Sequence, residues 1–224
     1  MNRLLKLVAS LSGLALTLAA CSSPQSAEAQ SLARSTEGFA PTIDGLMQAT
    51  FAGGCFWAQE EAFEEIKGVK QVVSGYAGGT VERPTYEQVC GQKTGHAESI
   101  NIYYDPKVVS FQTLLNIFFT ASHDPTQLNR QGNDSGPEYR SVAFYRTMEE
   151  KKTIETTIAR VNASKQWGDK IVTQVLPMRT FWPAEDYHQG YFRRHPNEPY
   201  IAHVSQAKVD HVRKLFKSEL KNPL

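Results

Sequence analysis

The chain has 224 residues, with 24 Lys and Arg against 23 Asp and Glu and a formal net charge of +1. With both signs mixed along the sequence, no basic face is offered to nucleic acid. The sharpest basic feature, Arg193-Arg194, suits a solvated helix end better than a phosphate site.

Residues 1–20 read as a secretory signal peptide. Arg3 and Lys6 give a positive start, and an apolar and small-residue run from Leu4 to Ala20 follows, short for a permanent membrane span. The end of that run, Leu18-Ala19-Ala20-Cys21, resembles the lipobox of bacterial lipoproteins. The resemblance implies that Cys21 becomes the lipid-bearing first residue of an exported chain, anchored to a bacterial membrane on its periplasmic or cell-surface side. An ordinary signal peptide cut elsewhere would instead discard Cys21. Residues 21–45, rich in Ser, Pro, Gln, Ala and Glu, bury too little apolar surface to offset their ordering entropy and read as a flexible tether. Residues 46–224 have the size of one domain with one core.

In chain order, Gln48 to Ala52 predicts a strand stopped by Gly53-Gly54. From Cys55 to about Lys67, Phe56, Ala62, Phe63 and Ile66 suit one helix face. Gln71 to Ser74 reads as a strand closed by Gly75-Tyr76-Ala77-Gly78-Gly79, and Glu98 to Tyr104 alternates as a strand should. Ser110 is placed to cap a helix carrying Leu114, Leu115, Ile117 and Phe118. A polar loop from His123 to Pro137 leads to a strand at Ser141–Tyr145 and a helix from Glu149 to about Ser164. Ile171 to Leu176 reads as the last strand, and Pro183 as the start of a helix. The order predicts an α+β, two-layer sandwich of helices on a mixed or antiparallel sheet, with a ferredoxin-like core.

Three cysteines are too few for a disulfide framework in an exported protein, so Cys55 and Cys90 suggest thiol chemistry in at least one of them. Strand, glycine pair, cysteine and helix make a turn whose backbone N–H groups favour thiolate over thiol. Taken alone, Gly53-Gly54-Cys55-Phe56-Trp57 fits a buried structural cysteine equally well. Glu98 begins a strand near tyrosines, where burial would keep a carboxylic acid protonated near neutral pH; a solvated strand-end charge is the plainer reading. His96 reads as a polar turn residue, since no second ligand stands at a metal-site spacing. The Asn129–Ser141 segment offers Asp134 as an acceptor and Tyr139 as a donor, and is equally a well-made turn. For His188, on an expected helix, a structural hydrogen bond is the default.

Four segments then carry a resemblance. Gly54-Cys55-Phe56-Trp57, Thr94-Gly95-His96-Ala97-Glu98, Gly132-Asn133-Asp134 with Tyr139-Arg140-Ser141, and Ala184-Glu185-Asp186-Tyr187-His188-Gln189 resemble, in order, the peptide methionine sulfoxide reductase A family. They span nearly the whole domain from Thr50 to about Arg193. The resemblance implies that the Cys55 thiolate attacks the sulfoxide sulfur while Glu98 protonates its oxygen. Tyr86 and Tyr139 would donate hydrogen bonds to that oxygen, Phe56 and Trp57 would hold the S-methyl group, and Asp134 would bind the substrate main chain. The substrate would be the S epimer of methionine sulfoxide, free or in oxidised proteins, and the product a Cys55 sulfenic acid, with no cofactor or metal required.

Many members of the family reset that cysteine with further cysteines near the C-terminus. Here none follows Cys90, and Asp210-His211-Val212-Arg213-Lys214 is polar and thiol-free. Either an external thiol resets Cys55 directly or Cys90 resolves it; because a cysteine like Cys90 occurs in the family without being the usual resolver, the expected partner is an external thiol, a thioredoxin-like protein or a small-thiol reductant, with Cys90 a core residue and the chain a monomer. Gly91-Gln92 and Pro137-Glu138 differ from the commonest family residues, which bears on the shape of the substrate site. Two other readings stand beside this one. A non-enzymatic lipoprotein binding exposed methionine would need neither Cys55 nor Glu98, and a disulfide exchanger would be expected to carry a Cys-x-x-Cys.

Overall fold

The structure is a computed structural model that describes residues 45–223. The expected signal peptide, the lipidated Cys21 and all but the end of the tether lie outside the described residues. Among the described residues no helix is long and apolar enough to cross a membrane.

The domain is α+β. Strand β1 (Met47–Ala52) leads through a glycine turn into helix α1 (Phe56–Glu64), then β2 (Val69–Ala77), the short α2 (Tyr86–Cys90) and β3 (Ala97–Tyr104). Helix α3 (Phe111–Ile117) runs into a π-helical turn at Phe118–Ser122, and a two-residue hairpin, β4 (Arg130–Gln131) with β5 (Asp134–Ser135), precedes β6 (Val142–Tyr145). Helix α4 (Met148–Ser164) crosses over to β7 (Gln174–Pro177), followed by β8 (Phe181–Pro183), α5 (Tyr191–Arg194) and α6 (Gln206–Leu215).

The main sheet has the order β7-β6-β1-β3-β2-β8, antiparallel except where β6 and β7 run parallel. Its centre, β6-β1-β3-β2 with α1 and α3 as connections, is the split β-α-β arrangement of a ferredoxin-like core. The parallel β6–β7 pair needs a crossover, and α4 supplies it. Strand β3 is buried along its whole length. Its Ile100, Ile102 and Tyr104 side meets the larger cluster with Phe51, Phe63 and Phe118, while Tyr103 and Ala97 join Val73, Phe144 and Phe181 on the other face. Asn101 sits within that burial because Thr50 Oγ1 donates to its Oδ1 at 2.6 Å and Arg146 Nη2 donates to the same oxygen at 3.0 Å. A buried polar pair survives there because each partner is satisfied.

Several sequence expectations change. Helix α1 stops at Glu64 rather than near Lys67, because Ile66 leaves it to pair with Leu220. The glycine-rich segment continues β2 through Ala77 instead of closing it. At Gly75 this continuation needs a bare backbone, since a Cβ there would stand 2.3 Å from the Trp182 carbonyl oxygen. Pro183 does not start a helix; it ends β8, an edge strand, where its missing N–H leaves no ladder bond unmade. Ser110 caps α3 as expected, accepting from the Thr113 N–H at 3.0 Å. Helix α6, not expected from the sequence, buries Val209 and Val212 and sends Arg213 to Glu65 at 2.6 Å.

Candidate active site

Helix α1 begins at Phe56, with Cys55 in the cap position and 6% exposed. Gly54 makes the turn. Its φ is +84°, and a Cβ there would come within 2.6 Å of Gln131 Cγ. Gln131 is itself fixed, donating to the Asp124 carbonyl at 3.0 Å and accepting from the Asp124 N–H at 2.9 Å. From inside the helix, Gln59 Nε2 ties down the Gly53 and Ser122 carbonyls at 2.9 and 3.0 Å. The turn that carries Cys55 is thus clamped from both sides.

The Trp57 N–H bonds to the Cys55 sulfur and favours its charged form. The sequence led us to expect that this helix start would make the thiolate the resting form. It does not: desolvation, joined by the charge of Glu98, pushes the thiol well above its ordinary range.

Glu98, on β3, is 2% exposed. Its Oε2 accepts from the Phe56 N–H at 3.1 Å. Burial pushes its carboxyl up to about 8, helped by Asp134 and Glu138 and opposed by the Phe56 N–H and Lys208. It is therefore a carboxylic acid at neutral pH, as the sequence suggested, with a proton to give.

Tyr86 opens α2. Its N–H donates to Glu185 Oε1 at 2.9 Å, and Glu185 Oε2 accepts from Tyr76 at 2.9 Å. Its hydroxyl is bonded to the Cys90 thiol. Tyr139 stands in the tight turn before β6 and feels Glu98, Cys90, Cys55 and Asp134. Burial raises both tyrosines, so each is a neutral donor.

Phe56 and Trp57 form an aromatic wall with His188. Trp57 Nε1 donates to His188 Nδ1 at 3.1 Å, and its ring stacks on Tyr191 at 4.0 Å. His188 has the structural bond expected of it, and burial keeps it neutral. Asp134 lies on β5. Its Oδ2 accepts from the Tyr200 hydroxyl at 2.5 Å and lies 3.8 Å from Lys208 Nζ. The sequence-predicted residues Cys55, Phe56, Trp57, Tyr86, Glu98, Asp134 and Tyr139 therefore converge on one site.

Tyr200 and Lys208 were missed by sequence reasoning. Tyr200 donates to Asp134 and stands beside the Cys55 sulfur, but no spacing in the C-terminal stretch marks it. Three other expectations need correction. Cys90 is not a core residue but a half-exposed thiol at the end of α2. His96 is not a free turn residue but a buried clasp, bonded to the Gly79 N–H at 3.2 Å and the Val81 carbonyl at 2.7 Å. Arg193 is not merely solvated, since it pairs with Glu61 at 2.8 Å and with Glu64, pinning α5 to α1.

A buried cysteine at a helix start, beside a protonated acid and two neutral tyrosines, has the make-up of a thiol-dependent oxidoreductase. The chain belongs to the peptide methionine sulfoxide reductase family, whose family model matches residues 47–220. The peptide methionine sulfoxide reductase MsrA of Polynucleobacter asymbioticus is 49% identical over 178 residues, which cover 80% of this chain and 92% of that protein. That of Deinococcus radiodurans is 45% identical over 174 residues, covering 78% and 84%. Among solved structures, reduced Mxr1 from Saccharomyces cerevisiae is similar with a TM-score of 0.65 and 32% identity over 73% of this chain and 92% of that one. Methionine sulfoxide reductase A of Corynebacterium diphtheriae gives 0.63 and 32%, over 70% and 78%. The protein is an oxidoreductase that reduces methionine sulfoxide.

Proposed function

We propose that Cys55 is the nucleophile and Glu98 the acid in reducing the S epimer of methionine sulfoxide, free and in oxidised proteins. A sulfoxide sulfur is a poor electrophile until its oxygen is protonated or strongly hydrogen-bonded, so an acid must face the thiol. The observation that carries this reading is Glu98, buried, protonated and bonded to the first N–H of the helix that Cys55 caps.

The step balances within the site. The Cys55 sulfur attacks the sulfoxide sulfur while Glu98 gives its proton to the sulfoxide oxygen, and the thiol proton passes back to Glu98. Attack forms a bond between the two sulfurs; as the protonated oxygen passes to Cys55, that S–S bond and the substrate S–O bond both break, and methionine leaves with the two electrons that Cys55 has lost. Tyr86 and Tyr139 donate to the same oxygen as charge grows on it. Phe56 and Trp57 receive the S-methyl group, and Asp134 binds the substrate main chain.

The product, a Cys55 sulfenic acid, is on the reversible rung of cysteine oxidation. An external thiol, from a thioredoxin-like protein or a small molecule, returns it to the thiol. In support, residues 91–224 hold no cysteine, and burial pushes the Cys90 thiol up despite the opposing Tyr86 hydroxyl, which makes it a weak attacking thiol. We further propose that the signal peptide of residues 1–20 exports the chain and that a lipid on Cys21 holds the domain at a bacterial membrane through residues 21–45. Mass analysis of the mature N-terminus tests that separately, and an unlipidated chain overturns it.

For the chemistry, protein incubated with methionine S-sulfoxide and no reductant should release about one methionine per chain. Cys55→Ser should release none. Equal release by the variant removes Cys55 from the reaction, and equal turnover of the R epimer removes the stereochemical assignment.

A further inference from the structure

Lys208 lies on α6, and its side chain runs opposite to the habit of its type. A surface lysine lays its methylene stem on apolar surface and puts its ammonium in water. Here the side chain is 20% exposed, yet Nζ itself is shut off from solvent and has no hydrogen-bond partner. The nearest acid is Asp134, with Oδ2 at 3.8 Å, beyond a hydrogen bond. On its other side is the nucleophile turn, where a Cβ built on Gly54, the residue before Cys55, would stand 3.8 Å from Nζ. A buried ammonium whose ion pair is this long leaves its donors unmet, which is costly unless a further anion comes within reach.

We infer that Lys208 is a positioning residue whose ammonium is the counter-charge of the Cys55 thiolate, so that the thiolate is reached only while this lysine points inward. The inference rests on Cys55 being the nucleophile. At neutral pH Cys55 and Glu98 both hold their protons, and loss of either proton puts one negative charge on the pair. Lys208, beside the turn that carries Cys55, is placed to answer that charge. Consistent with this placement, the lysine favours the charged forms of both Cys55 and Glu98. The other groups facing the pair are Asp134 from β5, Glu138 and Tyr139 from the turn before β6, Tyr86 and Cys90 from α2, Tyr76 from β2 and Tyr200 before α6, while His123, after the π-helical turn, bears on Lys208. His123 is pushed down to about 3 by burial and is neutral, so it cannot replace the lysine. Tyr200 is neutral and gives its hydroxyl proton to Asp134, so it brings the sulfur no charge.

The test is the pH profile of Cys55 alkylation by iodoacetamide in the full chain, read peptide by peptide so that Cys90 does not interfere. Lys208→Met keeps the stem and removes the charge. It should slow Cys55 alkylation at neutral pH by about tenfold and move the profile up by about one pH unit. Lys208→Arg should restore most of the rate. Should the Met variant fail to fold, Lys208→Gln carries the same expectation. A wild-type profile in a folded neutral variant overturns the inference, as does an Arg variant as slow as the neutral one, since shape rather than charge would then matter. Alkylation reads the charge on Cys55 whether or not that sulfur performs the reduction. Methionine release by Cys55→Ser tests the reduction on its own, so the two ideas can fail separately.

Discussion

The backbone N–H of Phe56 donates to Glu98 Oε2 at 3.1 Å, which fastens a buried acid to the first residue of the helix that Cys55 caps. Glu98 and Cys55 therefore share one helix start. Any charge on one is felt by the other, so the two titrate as a coupled pair.

Glu98→Gln should separate the two roles. It removes the acid, and reduction should fall by about 10²–10⁴-fold. Above about pH 8, where the wild-type carboxyl has lost its proton, it also removes the negative charge that raises Cys55, so there the thiol should alkylate faster than in the wild type. Steady-state reduction and iodoacetamide rates measured on the same preparation check both. In the wild type, the carboxyl loses its proton as pH rises through about 8, and reduction should decline across that range. A variant that loses activity and also alkylates more slowly would place Glu98 in a different role.

Tyr200→Phe deletes a hydroxyl that donates to Asp134 Oδ2 beside the Cys55 sulfur. Loss of a charge-assisted bond of about 1.5–3 kcal/mol corresponds to a rate loss of roughly 10–100-fold. Single-turnover methionine release would show it. The melting temperature should change little, because the ring keeps its edge contact with Trp57.

Gly54→Ala should destabilise the domain more than a typical surface change. Left-handed φ costs a non-glycine residue about 1–2 kcal/mol, and the collision with Gln131 adds about 1–3 kcal/mol more. Urea unfolding monitored by tryptophan fluorescence gives the value. A loss below about 1 kcal/mol would mean that the turn relaxes freely.

Glu60 predicts a pH slope in stability. Its carboxyl accepts from Ser74 Oγ and the Gly190 N–H, both at 2.7 Å, and burial raises it from 4.5 to about 7. The folded chain then holds a proton that the unfolded chain has released between those values. Its contribution is present at low pH and is lost as pH rises through about 7. Melting temperatures of wild type and Glu60→Gln should therefore converge, or cross in favour of the variant, between about pH 5 and about pH 8. Parallel curves would show that Glu60 keeps an ordinary carboxylate in the fold.

The parts legible in the sequence are those whose pattern is local. Cys55 is announced by a glycine pair and two aromatics, and β3 by its alternation. Glu98 stands at the start of that strand, where burial was expected to keep its proton, and it does. What stayed hidden depends on distant partners. Tyr200 and Lys208 come from a polar C-terminal stretch that only the docking of α6 brings to the nucleophile turn. Glu60 and His96 look like surface residues until Ser74, Gly190, Gly79 and Val81 supply the bonds that make burial tolerable. Pro183 misled because a proline suited to a helix start is equally suited to an edge strand. The resting state of Cys55 was misjudged because a helix start is visible in sequence, whereas the completeness of burial around the sulfur is not.

The most direct measurement traps the oxidised sulfur itself. Wild-type chain is allowed one turnover with methionine S-sulfoxide without reductant, treated with a dione reagent specific for sulfenic acids, digested and mapped by mass. The account predicts the adduct on Cys55 alone, in proportion to methionine released, with Cys90 still a thiol. Methionine released with no adduct on Cys55, or with Cys55 and Cys90 joined as a disulfide, would contradict it.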